Sequence, residues 1–117
     1  MKCSCPRRLR ELRRQILTRL VPLFGLEAVR STDQGDGPCA PDILAPHVAV
    51  TCVRGRKVDV RAALREATLR NRYPDEWSVA ACKDDGQPPI IAMRLEDFLS
   101  LLEEWHVCRK RPSVRVA

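Results

Sequence analysis

Pro41-Asp42-Ile43-Leu44-Ala45-Pro46-His47-Val48-Ala49-Val50-Thr51-Cys52-Val53-Arg54 holds two short apolar runs separated by a proline. Pro41 to Ala45 and His47 to Val53 have the length and β-branched content of strands. Pro46 has no N–H to give a ladder, so it suits the turn between them. The stretch therefore predicts two adjacent strands in the middle of the chain.

Working outward, Arg54-Gly55-Arg56-Lys57 reads as a basic turn. Asp59 can cap a following helix from about Val60 to Asn71, whose Ala62, Ala63, Leu64 and Ala67 recur at helical spacing. Its small side chains suit close packing on a sheet. Trp77 to Cys82 reads as a strand, Asp84-Asp85-Gly86-Gln87-Pro88 as a turn and Pro89 to Met93 as another strand. A last helix follows from Leu95 to Trp105, with Leu95, Phe98, Leu99 and Leu102 on one face.

Upstream, Leu9, Leu12, Ile16, Leu17, Leu20 and Val21 mark a helix over about Arg7 to Leu23 whose other side is rich in arginine. Pro22 and Gly25 punctuate its end. Leu26 to Arg30 reads as a short first strand, and the polar stretch from Ser31 to Pro38 as a flexible loop. The expected order is helix, three strands, helix, two strands, helix. This is an α/β domain, a mixed sheet flanked by helices. It spans 1–117, with a core over about 7–105 and a basic tail over 106–117.

The 117 residues suit one domain, and 44% apolar with 31% charged residues is a globular composition. The net charge is +6, and most of the positive charge is arginine, whose planar fork matches phosphate. That bias fits a nucleic-acid partner, although a GC-rich genome gives the same bias without one. No apolar run approaches the roughly 20 residues that span a bilayer. The first residues lead into arginines rather than an apolar leader. A cytoplasmic setting is expected, with the six cysteines as free thiols and Cys52 and Cys82 as core residues.

Metal-assisted phosphodiester cleavage needs carboxylates converging on divalent ions and a cation near the reacting group. An Asp opening one strand and a Glu-x-Lys on its neighbour meet that need, because strand residues two apart face the same way. Here Pro41-Asp42 opens one strand and, after eight intervening residues, Thr51-Cys52-Val53 lies on the next. With the basic turn, the Ala-rich helix, Lys83-Asp84-Asp85 and the segment from Ile90 to Leu99, the chain resembles the PD-(D/E)xK nucleases. The likeness is to the small phage and archaeal Holliday-junction resolvases, and it covers roughly Arg7 to Trp105.

The resemblance implies a restriction-endonuclease-like fold, Mg²⁺ and a branched or duplex DNA substrate. It also implies a homodimer, whose interface could be a sheet edge or the apolar face of the last helix. It places catalytic positions at Asp42, Glu11, Thr51 and Val53, with Asp42 and Glu11 as metal ligands. The motif is degenerate, because the family's Glu falls on Thr51 and its Lys on Val53. Thr is a poor ligand for a hard cation, and Val carries no charge. Arg54 lies one residue late, on the other strand face unless a bulge shifts it. Glu66 could reach inward or pair with Arg70.

Several of these residues have plainer readings. Asp42 would also serve as a strand-entry cap, and Glu11 as a partner for neighbouring arginines. Arg54, Arg56, Lys57 and Lys83 are expected at DNA phosphate, or else as solvated loop charge. Cys3, Cys5, His106 and Cys108 form a Cys₃His set that zinc could use, with free thiols the favoured reading. Trp77 and Trp105 suit core or interface anchors. Two functions follow: a silent resolvase-like protein that binds DNA or another phage protein, and an active Mg²⁺-dependent endonuclease.

Overall fold

The computed structural model describes residues 6–31, 40–71 and 73–110. Its elements are α1 (Pro6–Phe24), β1 (Arg30–Ser31), β2 (Ile43–Ala45), β3 (Val48–Gly55), α2 (Val60–Arg70), β4 (Trp77–Asp84), β5 (Ile90–Ala92) and α3 (Leu95–Lys110). The expected order holds, with one correction at its start. Leu26–Ala28 is a 3-10 turn, and the first strand is only Arg30–Ser31. Gly25, at φ 97, ends α1 and sends the chain into that turn. Pro22 does not stop the helix.

The five strands form one sheet in chain order, β1-β2-β3-β4-β5. β3 and β4 run parallel over eight residue pairs, and the other neighbours are antiparallel. The parallel step needs a crossover, which α2 supplies. Ala45 pairs with Val48, so Pro46 and His47 form a two-residue hairpin turn. Pro46 suits the first central position of such a turn, and His47 takes φ 74 at the second.

Alternation along β3 divides the core into two layers. Val50 and Cys52 join Leu12, Val29, Ile43, Ala45 and Ala81 under α1. Val53 packs with Ala63, Ala67, Ala80 and Cys82 under α2. Alanines at the α2 contact let the helix backbone sit close to the strands, as its sequence predicts. Asp59 accepts the Ala62 N–H at 3.1 Å and caps α2. The terminal strand-edge expectations were short: Arg54 and Gly55 belong to β3, and Lys83 and Asp84 to β4.

α3 departs most from expectation. It continues to Lys110, into the stretch over 106–117 that the sequence assigns to a basic tail. Every described side chain of α3 except Asp97 is at least as exposed as surface residues are. Leu95, Phe98, Leu99 and Leu102 share a face, but that face lies outside the core. Among the described residues, no helix is long and apolar enough to cross a membrane.

Candidate functional site

Asp42 stands immediately before β2. The pairing of Ile43 with Val50 carries it to the level of Thr51 on β3. Its backbone N–H donates to the Val50 carbonyl at 2.9 Å. Its Oδ2 accepts the Cys52 N–H at 2.8 Å. The carboxylate thus replaces a ladder carbonyl at the frayed end of the β2–β3 pair. Arg70, on the last turn of α2, brings its guanidinium to 3.9 Å from the same oxygen. Arg70 also donates to Glu66 at 2.9 Å and to the Ala40 carbonyl at 3.4 Å. One cation therefore ties α2 to the entry of β2 and stands next to two carboxylates.

Thr51 and Val53 occupy the α2 side of β3. Thr51 is 2% exposed, and among the described residues its Oγ1 has no hydrogen-bond partner. Val53 is part of the alanine-rich layer. Thr51 is thus buried and Val53 half-buried against the alanines of α2. Arg54 points to the other face, as a one-residue step requires, and the β3–β4 register runs through it without a bulge. Glu11 is exposed on α1. Among the described residues, no group of three or more His, Cys, Asp or Glu side chains is placed to hold a metal ion.

On the α1 side, burial pushes the Cys52 thiol up to about 12, with Asp42 adding to the rise and Arg13 opposing it. Burial, then Asp84, also raises Cys82. These are core thiols, as their apolar sequence context predicts. Cys108 and His106 are both exposed on α3, two residues apart and so on different sides of the helix. Cys3 and Cys5, the other half of the zinc set, lie outside the described residues.

A second grouping forms where β3 and β4 end. Asp85 in the β4–β5 turn donates its N–H to Gly55 O at 2.9 Å. Its Oδ1 lies 3.3 Å from the Arg8 guanidinium and 3.8 Å from Arg54 Nε. The N-terminal end of α1 therefore lies beside the β3–α2 loop, where Arg56 and Lys57 are exposed. Asp84 Oδ1 braces this loop by accepting the Val58 N–H at 2.7 Å. Lys83 turns onto the carbonyls of Asp84 and Gln87 at 3.1 and 2.7 Å, so its ammonium holds the hairpin turn.

α1 has no acidic residue in its first turn. Its positive dipole end and its arginines thus share one place. This arrangement disfavours the helix unless an anion meets it. Arg10, Arg14 and Arg19 continue the exposed positive charge along the helix. The sequence places Arg56 and Lys57 in the basic turn but gives Arg70 only as a partner for Glu66. Its reach to Asp42 depends on the crossover, which brings together residues 28 apart in the chain.

No family model matches this chain, and neither a curated protein nor a solved structure matches it. The fold defines its class, an α/β domain that builds, among the described residues, a five-stranded mixed sheet and three α-helices.

Proposed function

We propose that this chain is a DNA-binding protein of resolvase-like descent, of phage origin, whose nuclease site is silent and whose role is structural or interactive. The observation that carries the reading is the state of Asp42. Its carboxylate is already shared between the Cys52 N–H and the Arg70 guanidinium, opposite a buried threonine. A divalent ion would have to displace that cation, and Thr51 and Val53 bring no compensating charge. The order of the elements and the level of Asp42 with Thr51 agree with the PD-(D/E)xK frame. Binding is assigned to the basic β3–α2 loop, where Arg56 and Lys57 are exposed, and to the outer side of α1.

Contacts of this kind reach phosphate and carry little base information, so affinity should be salt-dependent and nearly indifferent to sequence. The test measures fluorescence anisotropy on duplex and four-way-junction DNA over a salt series. Neutralising Arg56 and Lys57 together to Gln should weaken binding and flatten the log–log salt slope by about two. Incubation with Mg²⁺ or Mn²⁺ should leave both DNAs intact. Absence of binding at low salt would remove the DNA reading. Cleavage by the parent that Asp42→Ala abolishes would instead make this an active endonuclease.

A further inference from the structure

α3 carries an apolar face that no other described element covers. Leu95, Phe98, Leu99, Leu102 and Trp105 are 41–69% exposed and recur at the three- and four-residue steps of one helix face. Ile90 and Ile91, just before the helix on the edge strand β5, are more than half exposed as well. Most of a helix's stability in a protein comes from packing its apolar face. A face left bare on this scale marks an interaction site.

The sequence of α3 says what chemistry fits that face. Leu95-Glu96-Asp97-Phe98 recurs seven residues on as Leu102-Glu103-Glu104-Trp105. At about 3.6 residues per turn, the recurrence stacks the four apolar side chains on one face. It sets Glu96 and Glu103 on one side of them and Asp97 and Glu104 on the other. Asp97 is half-buried and the three glutamates are exposed. Among the described residues, none of the four carboxylates makes an ion pair. Described positive charge stands only at the ends, where Arg94 precedes the helix and the Arg109 guanidinium lies 5.0 Å from the centre of the Trp105 ring. On a chain of net charge +6, this apolar face is bordered on both sides by acid.

That border selects the occupant. It repels phosphate, so nucleic acid does not fit. A second copy fits poorly too. An antiparallel pair centred on Leu102 brings Glu96 toward Arg109, but it sets Glu103 and Glu104 along the same edges as their counterparts. A parallel pair sets Glu103 along the same edge as Glu104. Either pair carries like charge at the middle of its edges, which costs affinity. A segment with basic flanks meets every one of these carboxylates with opposite charge. The seven-residue recurrence suits a helix, because side chains at this spacing interlock with the same spacing on a neighbour. We infer that α3 docks an amphipathic helix of a different protein, whose apolar side is bordered by lysine or arginine on both flanks. The inference rests on the interactive role proposed above and names the chemistry of its partner. DNA is assigned to other elements, so the two readings fail separately.

The probe is a labelled synthetic helix with leucine at the first and fourth places of each heptad and lysine on both flanks. A twin with glutamate on the flanks is the control. In fluorescence anisotropy the parent should bind the lysine helix at least about tenfold more tightly than the twin. Leu102→Glu should abolish binding of the lysine helix, with unchanged circular dichroism and unchanged affinity for duplex DNA. Glu96→Lys, Glu103→Lys and Glu104→Lys together should reverse the preference between the two helices. A parent that binds the lysine helix but no DNA removes the DNA reading and supports this one. Absence of binding to the lysine helix, equal affinity for both helices, or lysine-helix binding that survives Leu102→Glu overturns the inference. A parent that sediments as a dimer, lost in Leu102→Glu, also overturns it and gives the face to a second copy.

Discussion

Thr51 places a hydroxyl beneath α2, where neither a described side chain nor a backbone group receives it. A buried hydroxyl without a partner costs on the order of 1–3 kcal/mol. Val has nearly the same shape and no such requirement. Thr51→Val should therefore raise stability by about 1 kcal/mol in urea unfolding. A loss of stability would mean that the hydroxyl meets a group such as an internal water. The same burial explains why rebuilding the nuclease motif at this site would be costly. A Glu at 51 and a Lys at 53 would enter an alanine-packed layer, and each unpaired charge there opposes folding by several kcal/mol.

At the scale of the element, α2 shows local chemistry and tertiary contact acting together. Asp59 caps its first turn, and Asn71 closes its end by donating Nδ2 to the Glu76 carbonyl and to Ser78 Oγ, both at 2.9 Å. The helix is only 11 residues long, too short to be stable alone, so its caps and its alanine face must hold it to β3 and β4. Asp59→Ala should destabilise the domain by about 1 kcal/mol, read as a lower urea midpoint with an unchanged slope. A slope change would show that α2 unfolds separately from the sheet. The Asp59 signal was legible because N-caps act within three residues. Asn71 was not legible as a brace, because its partners depend on where β4 begins.

Across the whole molecule, two buried thiols link stability to pH. Cys52 is raised from 9.0 to about 12, chiefly by burial, and Cys82 is raised as well. The folded state therefore keeps protons that the unfolded chain releases. This contribution is fully present below about pH 9 and is lost as pH rises toward 12. Urea midpoints should fall across that window, and the fall should be shallower in Cys52→Ala, whatever its stability at neutral pH. An identical fall in the variant would assign the loss to other groups.

The element order, the α2 cap, the core role of Cys52 and Cys82 and the opposite facing of Arg54 followed from the sequence alone. Each depends on periodicity or on contacts a few residues apart, and such patterns are written directly in the chain. The tertiary structure alone decided three matters. Arg70 reaches Asp42 because the crossover returns α2 over the entry of β2. Lys83 serves its own turn because β4 extends to Asp84 and leaves the ammonium beside the hairpin carbonyls. The apolar stripe of α3 faces outward although its spacing matches that of a core helix, because periodicity shows that a face is apolar and not what covers it.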